Sequence, residues 1–160
     1  MPIDESGMRS RIALGRDGVN LIHLDYFERF FMIATQLLAF NESGLLEQLD
    51  LLSDVELNGL GFGVIGFDTE AIVRRYNAYE SQAAGLSPSR VLGHGLFTLV
   101  APCMNNYLVA QRFEDAAAEG ARLDETLDYT LTLRMRPAEV KLRLLAAVDA
   151  AHRYVLVHRP

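Results

Sequence analysis

The chain of 160 residues holds one cysteine, Cys103, and one lysine, Lys141. A single thiol closes no internal disulfide, so pairing says nothing about redox compartment. A single amine leaves little scope for Schiff-base chemistry. Basic charge is also short: 15 Lys and Arg stand against 21 Asp and Glu, a net charge of -6. That balance argues against a nucleic-acid partner, which calls for a basic face. No run reaches the roughly 18 consecutive apolar residues of a membrane span. The opening "MPIDESGMRSRIALGRDG" lacks the apolar segment of a secretory signal. The expectation is a cytoplasmic protein with no membrane contact. His23, His94, His152 and His158 lie far apart without ligand spacing, so no metal is expected. The glycines of "GLGFG" precede no helix start and make no phosphate loop. No Ser/His/Asp order suggests a hydrolase, and the chain reads as a non-enzyme without internal repeats or low-complexity tracts.

Half of the residues are hydrophobic and 22% are charged, the balance of a globular domain. Residues 1–20 carry no periodicity and read as an arm. From Leu21 to Phe40, Leu21, Leu24, Phe27, Phe31, Ala34 and Leu38 recur at helical spacing, and Ile22, Phe30, Ile33 and Leu37 widen the stripe. Such a face needs cover, either from the domain's own sheet or from a second copy. The four aromatics Tyr26, Phe27, Phe30 and Phe31 lean toward a homodimer seam. "NESGLLEQLDLL" predicts a short helix capped by Asn41 or Ser43. "LGFGVIGFD" and "AIVRRY" predict a hairpin around Asp68–Glu70. "NAYESQAAG" predicts a helix stopped at Gly85, and "SPSRVLG" reads as a turn with a helix start. "NNYLVAQRFEDAAAEG" predicts an amphipathic helix ending at Gly120. "ETLDYTLTLRM", "AEVKLRLLAAVDA" and "HRYVLVHR" are strand candidates. Two strands, a helical stretch and three strands imply an α+β fold with a central five-stranded antiparallel sheet flanked by helices. That is the arrangement of a PAS domain, here with an additional N-terminal helix: residues 1–38 form the arm and helix, and residues 39–160 the PAS domain.

A lone buried cysteine is most simply a small hydrophobe. A helix starting directly after Cys103 would change this, because its positive end favours thiolate, and a thiolate can hold an acyl group as a thioester. Tyr76 and Glu80 stand four residues apart, on one face if the segment is helical. Glu80 fits two roles. It can close a capping box with Asn77, or it can stay protonated by burial and, with Tyr76, donate hydrogen bonds to a buried anion.

From "AFNES" at Ala39 to the C-terminus the chain resembles the photoactive yellow protein family of blue-light receptors, with one single-residue insertion in "ARLDETLDYT". The carrying stretches are "LNGLGFGVIGFD", "YNAYE", "VLGHGLFTLVAPC" and "DYTLTLRMRPAEVKLRL". The resemblance implies 4-hydroxycinnamic acid (p-coumaric acid) as a covalent thioester on Cys103. It implies that Tyr76 and a protonated Glu80 bind its phenolate, with Val100, Ala101 and Phe62 also at the chromophore. Light would isomerise the double bond, move the proton of Glu80, and signal to an unknown downstream protein. The sequence departs from the family where a threonine and an arginine are replaced by Ala84 and Leu86, and strand aromatics by Leu131 and Leu133. Those departures keep open a non-photoactive PAS module that binds a ligand or only dimerises. An acyl carrier or enzyme using Cys103 is the third possibility, and it lacks an evident base.

Overall fold

The computed structural model describes residues 29–30, 38–132 and 136–160. The chain separates into two compact units, Met1–Ala34 and Thr35–Pro160. In the first, Arg29 and Phe30 are helical; the other residues of the proposed Leu21–Phe40 stripe before Leu38, and with them the rest of the dimer seam, lie outside the described residues. The helix expected to run to Phe40 does not reach it, since Leu38 and Ala39 are non-helical and Phe40 sits in a turn.

The second unit begins with α1 (Leu45–Leu51) and α2 (Asp54–Leu57). Neither Asn41 nor Ser43 caps α1. Gly44 holds that position at φ 64°, a left-handed geometry that suits glycine. Ser53 and Glu56 close a capping box on α2, a helix the sequence pattern did not suggest. Then come β1 (Gly63–Phe67), β2 (Val73–Tyr76), α3 (Ala78–Ala84) and α4 (Pro88–Val91). A π-type turn, Leu96–Val100, and a 3-10 turn, Pro102–Met104, lead to α5 (Ala110–Glu119). The chain closes with β3 (Leu123–Leu131), β4 (Ala138–Ala146) and β5 (Arg153–His158).

The five strands form one antiparallel sheet in the order β2-β1-β5-β4-β3. Side chains alternate across a strand, so the sheet sorts its residues between two cores. Ile65, Phe67, Tyr76, Leu142, Leu144, Val155 and Val157 meet the helical stretch from Val91 to Ala116. Val64, Leu145, Tyr154 and Leu156 meet α1, α2, Phe40, Leu60 and Phe62 on the other face. β1 is buried at every position because both faces are covered.

Arg75 ties α1 to the sheet. Its guanidinium donates to the Leu49 and Leu52 carbonyls, to Tyr154 Oη at 2.9 Å and to Asp54 at 3.1 Å. Both carbonyls lie at the C-terminal end of α1, where an α-helix runs out of its own donors, and the Leu49 carbonyl also takes the Leu52 N–H at 3.2 Å. Burial opposes the charge, yet the bonds to Tyr154 and Asp54 prevail and hold the guanidinium above its ordinary value. Burial, aided by the bond to Asp50, pushes the Tyr154 hydroxyl far up.

Candidate functional site

Tyr76 is the last residue of β2, not a helical one. It faces the α3 side of the sheet because Ile65, its partner in register, does. Its hydroxyl donates to the Glu80 backbone carbonyl at 3.4 Å, a long contact by hydrogen-bond geometry. Asn77, 1% exposed, then turns the chain into α3. Its Oδ1 accepts from the N–H groups of Val64 (2.9 Å) and Glu80 (3.1 Å). Its Nδ2 donates to the carbonyls of Leu57 (3.1 Å) and Phe62 (2.9 Å). One side chain thereby joins α2, β1 and α3 and sets where Glu80 begins.

Glu80 does not close a capping box, because the Asn77 N–H is taken by the Val64 carbonyl at 3.2 Å. The Glu80 side chain, 2% exposed, is held instead by Arg159 in a bidentate pair: Nη1 donates to Oε2 at 2.7 Å and Nη2 to Oε1 at 3.0 Å. The hydrogen bond that Arg159 donates to Glu80 raises the guanidinium above its ordinary value, against the pull of burial. Arg159 follows β5 and continues the alternation of Val155 and Val157, so it reaches the same sheet face. Gly63 lies below the carboxylate. A Cβ there would come within 2.1 Å of Glu80 Oε2, which makes the glycine a requirement of close approach rather than of a turn.

Cys103 is half-buried within the 3-10 turn and packs on the same core as Tyr76, Val100 and Ala101. The long helix expected directly after it begins only at Ala110. The reason lies in Asn106. Its Oδ1 takes the N–H groups of Leu108 (2.9 Å) and Val109 (3.2 Å) and turns the backbone before α5 can start. The dipole argument for a favoured thiolate therefore loses its helix. The Cys103 carbonyl accepts from Tyr129 Oη at 2.5 Å and from Asn106 Nδ2 at 2.9 Å, and Asn106 Nδ2 also donates to Tyr129 Oη at 2.7 Å. Beside this triad opens a cleft of about 820 Å³ with Leu108, Val140 and His158 along its walls, within the usual ligand-pocket range of about 300–1,000 Å³.

The structure thus gathers Tyr76, Glu80, Val100, Ala101 and Cys103 on one face of the sheet. It does not bring Phe62 to them. That side chain packs in the opposite core, edge-on to Phe40 at 5.8 Å, and only its carbonyl serves the site, through Asn77. The reason is parity: Phe62 shares its side of the chain with Val64, one residue out of step with Gly63 and Ile65. Leu86 is half-buried against the site core, and its carbonyl accepts from Ser81 Oγ at 2.8 Å. Leu131 is buried there too, while Leu133 lies outside the described residues. Sequence reasoning missed Arg159, Asn106 and Tyr129. Strand alternation was the signal for the first and last, and the "NN" after the cysteine for the second. Among the described residues no group of three His, Cys, Asp or Glu is placed to hold a metal ion. Among them, too, no helix is long and apolar enough to cross a membrane.

No family model matches the chain. The photoactive yellow protein of Halochromatium salexigens is 32% identical over 120 residues, 75% of this chain and 95% of the relative. That of Rhodothalassium salexigens is 27% identical over 124 residues, 78% of this chain and 98% of the relative. Among solved structures, the photoactive yellow protein domain of the sensor histidine kinase Ppr from Rhodospirillum centenum is 32% identical with a TM-score of 0.65. That match covers 71% of this chain and 99% of that one. A PAS domain from Colwellia psychrerythraea, 9% identical with a TM-score of 0.53 over 72% of this chain and 97% of that one, shares the fold alone. The α+β architecture is a PAS fold.

Proposed function

The chain belongs to the photoactive yellow protein family and is a PAS sensory domain; from that premise we propose a blue-light sensor carrying 4-hydroxycinnamic acid as a thioester on Cys103. The supporting observation is the packing of Cys103, Val100, Ala101 and Tyr76 in one apolar core, with the Glu80 carboxyl over the same sheet face. These residues fit such a group: a half-buried thiol, apolar walls, a phenol and a carboxyl. When bound, the group supplies a conjugated double bond that light isomerises and a phenolic oxygen that exchanges a proton. Cys103 Sγ is the acylated atom, and its thiol proton leaves with the activating group of the acyl donor. Asn106 and Tyr129 hold the Cys103 backbone by its carbonyl. Val100 and Ala101 keep water out. Glu80 is the residue whose proton moves. As a carboxylate almost without solvent it needs a partner, since an unpaired one costs several kcal/mol. That cost is the source of the packing change that carries the signal.

A second reading, a PAS module that binds a small phenolic or apolar ligand without photochemistry, is favoured by the engagement of Glu80 with Arg159 and by Ala84 and Leu86. The two readings part on illumination. Purified protein mixed with activated 4-hydroxycinnamate should gain a visible band that bleaches under blue light and returns in the dark. A band without that response supports the second reading.

A further inference from the structure

A carboxylate that accepts from Arg159 through both oxygens carries no proton to give. The donor role proposed above therefore requires the pair to open. We propose that Arg159 is a positioning residue that decides whether Glu80 acts as acceptor or donor, and that a hydroxyaryl ligand must displace it. The inference rests on the proposed phenolic ligand, but its core concerns only this chain's own residues.

Three observations carry it. Glu80 is 2% exposed whereas the Arg159 side chain is 20% exposed, so on opening it is the arginine that can move to water. The hydrogen bond to Glu80 is the largest effect on the Arg159 guanidinium, and among the described residues Glu80 is the carboxylate paired with it. The carboxylate lies over Gly63, and the Asn77 cap on the Glu80 N–H fixes the backbone that carries it. Opening the pair leaves Glu80 in place, almost without solvent, where an unpaired charge is costly. The balance is simple: the carboxylate takes one proton from solvent, and the guanidinium stays cationic. The same arrangement works in reverse. When Glu80 gives up its proton, Arg159 is the cation positioned to return and pair with the buried carboxylate.

The test reads the carboxyl stretch of the ligand-free full chain by infrared spectroscopy near neutral pH. Arg159→Gln should gain a protonated-carboxyl band that wild type lacks and that Arg159→Gln/Glu80→Gln loses. Arg159→Lys, which keeps the charge without the fork, should show no band, and circular dichroism should report all variants folded. Arg159→Gln should also take up activated 4-hydroxycinnamate faster than wild type. A carboxyl band already present in wild type and assigned to Glu80, or none in a folded Arg159→Gln, overturns the proposal. Absence of any adduct by intact mass in both proteins would count against the thioester reading instead, and the infrared band would still decide the role of Arg159.

Discussion

Asn77→Ala is the substitution that most sharply tests how the site is held. The side chain makes four hydrogen bonds from a position 1% exposed. Its removal strands the N–H groups of Val64 and Glu80 and takes a donor from the Phe62 carbonyl. The Leu57 carbonyl keeps the N–H of Leu60 at 3.2 Å. Three groups losing a partner, at about 1 kcal/mol each and more where no water enters, give a loss of about 3–4 kcal/mol. For a unit of this size that lowers Tm by about 10–20 °C. Thermal melts followed by circular dichroism would measure it. Asn58→Ala is the control: Asn58 Oδ1 caps the Ala78 N–H at 2.8 Å from an exposed position, and its loss should cost only about 1 kcal/mol. If the two variants melt together, Asn77 is not the joint described here.

Gly63→Ala should force the Glu80 carboxylate aside, since its Cβ would stand 2.1 Å from Oε2 and 3.2 Å from Val157 Cβ. The expected loss is about 1–3 kcal/mol by chemical denaturation, and a neutral result would mean the carboxylate has room to move. Tyr154→Phe probes pH dependence. The folded state raises the Tyr154 hydroxyl above its unfolded value, so that contribution is whole below about pH 10 and declines as pH climbs toward the folded value. Wild type should therefore lose stability through alkaline pH more steeply than Tyr154→Phe, and equal slopes would refute the assignment.

The strands were legible as β-rich runs bounded by turns, and the hairpin and the Gly85 and Gly120 stops follow from local chemistry, whereas the order β2-β1-β5-β4-β3 is set by long-range pairing. The end of the N-terminal helix and the cap of α1 were not, because a left-handed glycine competes with Asn41 and Ser43 for one role. At the site, the residue types of Tyr76, Glu80 and Cys103 were readable from their motifs. Their environments depend on long-range partners. Arg159 reaches Glu80 across 79 positions, and Asn106 delays a helix whose amphipathic pattern points to an earlier start. Phe62, which the resemblance placed at the chromophore, packs its side chain in the opposite core, one step of strand alternation away.

The central claim is an acyl group on one sulfur. Intact-mass measurement after incubation with activated 4-hydroxycinnamate tests it most directly. The account predicts one added 4-hydroxycinnamoyl group in wild type and none in a folded Cys103→Ala variant. An unmodified wild type, or an adduct that persists in Cys103→Ala, would contradict it.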